Sequence, residues 1–70
     1  MKSKLIIYIN EDISNILGNE NSKKFKSNVR FNRNKIEIEI DAADISGLQA
    51  AVNSYINKIK IITEIKNLNI

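Results

Sequence analysis

Residues 25–42 read FKSNVRFNRNKIEIEIDA, and their pattern decides the fold. Phe25, Ser27, Val29 and Phe31 alternate with Lys26, Asn28, Arg30 and Asn32; beyond the next three residues, Ile36, Ile38 and Ile40 alternate with Glu37, Glu39 and Asp41. A period of two is that of a half-buried strand. With Arg33 and Asn34 at the centre of a turn, Phe31 faces Ile36, Val29 faces Ile38 and Ser27 faces Ile40. The same register sets Arg30 beside Glu37 and Lys26 beside Asp41. A slip of one residue would turn every isoleucine towards water. Both faces therefore select one hairpin, with one buried and one wet side.

Working outward, residues 3–9, SKLIIYI, form a short run rich in isoleucine, the signature of a strand. In NEDISNILG, Asn10 or Asp12 offers a cap, and Ile13, Ile16 and Leu17 fall at i, i+3 and i+4 before Gly18. That predicts a short amphipathic helix. A polar loop, NENSKK, leads into the hairpin. After it, a helix is expected from residue 45 to about 67. Asp44 is placed to cap it, and Ala43 and Leu48 have the spacing of a hydrophobic staple. Ile45, Leu48, Val52, Tyr55, Ile59 and Ile62 make one apolar stripe, expected to lie on the sheet. At ~1.5 Å per residue this helix runs roughly 34 Å, against roughly 23 Å for a seven-residue strand, so part of it should overhang. The expected fold is α+β in the order β-α-β-β-α. A three-stranded antiparallel sheet carries one long and one short helix packed on one face, in a single domain over 1–70.

The long helix holds a second stripe. Gly47, Ala50, Ala51 and Ser54 lie beside the first, and Ile61, Ile65 and Leu68 continue it. Two stripes exceed what one small sheet covers. Small side chains admit a close backbone, and the expectation is that this backbone belongs to another chain. Together with Ile13, Ile16 and Leu17 of the first helix, these residues are the candidate dimer and partner interface. Asn53, a poor helix former beside Ser54, is a candidate polar contact to a partner.

Composition points the same way. A chain of 70 residues buries only about 60% of its unfolded surface. It has no cysteine and no histidine, which excludes disulfide staples, Cys/His zinc sites and histidine-based catalysis. Small scaffolds without staples gain core by association, so self-association is expected. No stretch approaches the roughly 20 apolar residues of a membrane span. The amino-terminal apolar run is too short for a secretory signal, so a cytoplasmic location is expected.

No catalytic constellation emerges. The serines have no histidine to activate them. Glu37, Glu39 and Asp41 share a strand face but stand opposite Lys26 and Arg30, as a cross-strand charge ladder. No metal and no cofactor is expected. Lys23, Lys24, Lys26, Arg30, Arg33 and Lys35 hold six of the eleven basic residues. Of these, Lys23, Lys24, Lys26, Arg30 and Arg33 are candidate RNA phosphate contacts, salt-sensitive and blind to sequence. No aromatic is expected on the wet face, which argues against base stacking. A small basic RNA-binding domain acting through residues 23–35 is the alternative to an interaction subunit.

The segment IEIEIDAADISGLQAAVNSYINKIK, residues 36–60, resembles the signature of the small dimerising subunit of the KEOPS (EKC) complex, whose family includes the CTAG/LAGE antigens. The likeness rests on Ala43 and Asp44 at the turn and on Leu48, Ala50, Ala51, Val52, Asn53, Ser54, Tyr55 and Ile56 on the helix. It departs at Gln49, where relatives commonly carry arginine, and at Asn57, Lys58 and Ile59, where arginine and tryptophan are frequent. The resemblance implies a non-catalytic scaffold in tRNA threonylcarbamoyladenosine modification. Such subunits form homodimers and dock through their helices onto the catalytic threonylcarbamoyl-transferase subunit. Contact with tRNA would come through that complex.

Overall fold

The computed structural model describes residues 1–66. Strand β1 (Lys2–Tyr8) is followed by a single helical turn, α1 (Ser14–Leu17), then by β2 (Phe25–Phe31), β3 (Lys35–Ala42) and the long helix α2 (Ile45–Lys66). The strands form one antiparallel sheet in the order β1-β3-β2. The expected β-α-β-β-α order is what the chain adopts. The hairpin register is also the expected one: Phe31 pairs with Ile36, Val29 with Ile38, Arg30 with Glu37 and Lys26 with Asp41.

The turn that fixes this register has Arg33 at φ 52° and Asn34 at φ 62°. Two consecutive left-handed residues make a tight two-residue hairpin loop, whose twist suits the flanking strands. Asn32 and Lys35 close it by exchanging backbone bonds of 3.0 and 3.2 Å. Asn34 tolerates the left-handed region better than most residues.

Strand β3 is central, so its inner residues are covered from both sides and from above. Ile36, Ile38, Ile40 and Ala42 are all buried. Helix α2 lies across this face with Gly47, Ala51, Tyr55, Ile59 and Ile62 downward. Asp44 caps it, accepting from the Gly47 amide at 2.8 Å. Ile13 and Leu17 of the first helical segment seal the side of the core, while Leu48 and Val52 pack at its margin.

The burial corrects the two-stripe picture. Ile45, expected against the sheet, is exposed, as is Ile56. The sheet-facing side of α2 is instead rotated towards the small residues. Gly47 is the pivot. A Cβ at this position would stand 2.5 Å from the carbonyl oxygen of Lys24, which also accepts the Ala43 amide at 3.0 Å. The backbone that wants a glycine here belongs to this chain.

Gly47→Ala should therefore destabilise the protein. Alanine gains about 1 kcal/mol of helix propensity over glycine. A clash with a hydrogen-bonded main-chain oxygen should cost more, leaving a net loss of about 1–3 kcal/mol. Urea denaturation measures it; a variant more stable than the wild type would show that the helix start shifts freely.

Candidate functional site

Among the described residues no group of carboxylates gathers to hold a cation, and the buried set is wholly apolar apart from the Tyr55 hydroxyl. Exposed among the described residues are the flanks of α2, the outer face of the sheet, and the free edge of β1.

The predicted interface residues divide between core and surface. Ile13, Leu17, Gly47 and Ala51 are buried by the chain's own elements. They are not available to a partner in this fold, because a marginal core has taken them. Ala50 and Ser54 are half-buried. Ile16, Ile61 and Ile65 are exposed, Ile65 by 78%. Leu68 lies outside the described residues. Ser54 and Lys58 share a flank of α2 with Ile61 and Ile65, by their spacing of four, three and four residues. That flank borders α1: the Ser54 hydroxyl donates to Glu20 at 3.3 Å, and Lys58 Nζ donates to the Leu17 carbonyl at 3.2 Å. Lys58 also pairs with Glu20 at 3.5 Å and stands 5.1 Å from the Tyr55 ring centre. Ile61 and Ile65 thus leave an apolar edge on the flank that carries this satisfied polar clasp, and Ile16 of α1 is exposed as well. Asn53 is exposed.

The basic residues do not form one cluster. Lys23 and Lys24 precede β2 and Arg33 follows it, so a strand of roughly 23 Å separates them. Lys26 and Arg30 lie between on the wet face. Arg30 is committed to acidic neighbours, bonding Glu39 closely and standing 3.6 Å from Glu37. Lys35 pairs with Glu37 at 3.2 Å. The Lys35 ammonium holds the Glu37 carboxyl below its usual range, with Lys4 and Arg30 adding to the effect.

One expectation about this face fails. An aromatic does lie there: Tyr8, 70% exposed, paired in register with Lys35. The outer row of β1 reads Lys2, Lys4, Ile6, Tyr8, all exposed. The alternation was present in the sequence but masked, because Leu5, Ile6, Ile7 and Tyr8 form a continuous apolar run.

The two sheet edges differ. The outward amides of β2 as far as Val29 are taken by its own preceding loop. Ser27 donates to the Glu20 carbonyl and Val29 to the Asn19 side chain, both at 2.8 Å, and Phe25 donates to Ser22 Oγ at 3.2 Å. On β1, Ala42 donates to the Met1 carbonyl at 2.7 Å and Ile9 to the Asn34 carbonyl at 3.0 Å. Antiparallel alternation from these bonds turns the main-chain groups of Lys2, Lys4, Ile6 and Tyr8 away from β3. Among the described residues nothing covers them.

The family model described as transcription factor Pcc1 matches residues 15–67. No curated protein and no solved structure matches the chain. The family match runs from α1 through the hairpin and α2, well over half of the chain. On that span the chain belongs to the Pcc1 family, the family of the small subunit of the KEOPS tRNA-modification complex.

Proposed function

We propose that this chain is the non-catalytic dimerisation and scaffold subunit of its tRNA threonylcarbamoyladenosine-modification complex. It acts as a single domain in the cytoplasm, pairing with a second copy along β1 and docking the catalytic transferase subunit on the α1–α2 flank. The observation that carries the reading is the open edge of β1 in a sheet whose other edge is covered from Phe25 to Val29 by its own loop. An exposed strand edge is a template for another strand.

The helix flank supports the second half. Ile16, Ile61 and Ile65 remain outside a core that is otherwise complete. Apolar residues at helical spacing, rimmed by the Ser54–Glu20–Lys58 clasp, suit a helix laid alongside. Catalysis then belongs to the transferase, which this subunit holds in pairs.

Sedimentation equilibrium should give about twice the chain mass of 8.0 kDa. Ile61→Glu with Ile65→Glu should keep that mass but lose transferase capture, roughly 100-fold, because two charges would be buried at the contact. Modification should vanish when the transferase is omitted. A monomeric wild type, or capture that survives the double substitution, would overturn the corresponding half.

A further inference from the structure

We propose that pairing of two copies along β1 creates a composite surface for a single-stranded nucleic acid on the outer face of the joined sheet. The inference rests on the dimer reading above. Neither copy carries the surface alone.

The argument begins with register. Outward main-chain groups belong to the even-numbered residues of β1, so an antiparallel pair joins even to even. A two-fold axis at Leu5 sets Lys2 opposite Tyr8 and Lys4 opposite Ile6 of the second copy, and it pairs all seven strand residues. An axis at Lys4 would oppose two lysines directly, which is unfavourable. An axis at Ile6 would leave Lys2 and Ser3 without strand partners. The Leu5 register alone uses the full strand without like charges in contact.

That register arranges side chains as well as backbone. The two central rows of the joined sheet then carry four lysines, two tyrosines and two isoleucines on the outer face, and no carboxylate. The nearest acids lie in the adjoining β3 rows, where Asp41 stands opposite Lys2 and Glu39 opposite Lys4; Arg30 and Lys35 engage Glu37 and Glu39, and the amino terminus lies 3.8 Å from Asp41. Among the described residues neither Lys2 nor Lys4 ends in a salt bridge. Each Tyr8 ring, 70% exposed in one copy, gains a cation on its open side from Lys2 of the other. The two rings stand roughly 20 Å apart along the seam, six residues at strand rise, so they meet different bases of one strand.

Cations that track a backbone, interleaved with exposed rings, are what single-stranded nucleic acid binds. An acidic peptide would satisfy the lysines but leave the rings unused. The net charge of +3 per chain adds to the attraction.

Fluorescence anisotropy with a labelled oligouridylate of roughly 12 nucleotides tests this, with sedimentation equilibrium on the same samples. Tyr8→Ala should stay dimeric and bind about 10-fold more weakly, while Tyr8→Phe keeps wild-type affinity. Lys4→Ala should lower the salt slope by roughly 1.4 for the two lysines per dimer. Duplex RNA of equal length should bind less well than the single strand. A dimer whose affinity ignores Tyr8→Ala, or which binds duplex equally, overturns this inference and leaves the dimer reading standing. A monomeric wild type overturns both.

Discussion

Tyr55→Ala should leave the protein largely unfolded at room temperature, whereas Tyr55→Phe should fold with a stability lower by about 1–3 kcal/mol. The difference follows from what the side chain does. Tyr55 is the largest fully buried side chain among the described residues, and truncating a buried aromatic costs about 3–5 kcal/mol. A domain of this length has only about 4–10 kcal/mol in total. The ring also carries a part-buried polar relay. The Tyr55 hydroxyl donates to the Gly18 carbonyl at 2.9 Å and meets the Ser27 hydroxyl, which accepts the Glu20 amide at 3.0 Å. Gly18 can present its carbonyl this way because it sits at φ 70°. Through this relay α2 holds the loop that blocks the β2 edge. Phenylalanine keeps the volume but leaves the Gly18 carbonyl without its donor and the Ser27 hydroxyl with only the Glu20 amide.

A pH titration adds an independent check. Burial pushes the Tyr55 phenol above its ordinary value, partly offset by the Ser27 bond and reinforced by the nearby Glu20 charge. The folded state thus favours the neutral phenol. Its contribution is complete below the unfolded tyrosine value of about 10 and is lost as pH rises through the raised folded value. Denaturation curves of the wild type should fall more steeply than those of Tyr55→Phe in that alkaline range. Equal slopes would mean that the hydroxyl is not held as described.

The hairpin was legible in the sequence because two constraints coincide. Isoleucines choose the register on one face, and Arg30 with Glu37 chooses the same register on the other. The start of α2 was legible for a similar reason: Asp44 caps and the apolar period begins together. The partner of Gly47 was not legible. It is a carbonyl 23 positions earlier, and no local pattern announces a main-chain approach of that kind. At Gly47 the close backbone lies in this chain and not, as expected, in a second one. The basic cluster failed for the opposite reason. Residues near in sequence are spread along an extended strand, which puts more distance between neighbours than any other regular element. The outer row of β1 was hidden by Leu5 and Ile7, whose half-buried side chains fill the alternate positions of the same run.

Ile6→Pro should convert the dimer to a folded monomer, weakening self-association about 100-fold or more while leaving the circular-dichroism spectrum nearly unchanged, with the melting midpoint lowered only by the stabilisation that pairing supplied. The amide of Ile6 points away from β3, so the fold of one copy does not need it. Proline is tolerated on an edge strand where its missing donor faces outward, and Leu5 before it is already extended. In the paired dimer the same amide would bond Lys4 of the second copy, and the ring would crowd its backbone. Symmetry applies both losses twice. Leu5→Pro is the internal control: its amide bonds into β3, so that variant should unfold rather than dissociate. Circular dichroism and sedimentation on the two variants separate fold from assembly. Capture of the transferase by Ile6→Pro should persist at one copy per subunit, because the helix flank lies on another face of the molecule. If Ile6→Pro remains a dimer, the edge of β1 is not the seam. The exposed isoleucines of α2 would then be the surface through which two copies meet.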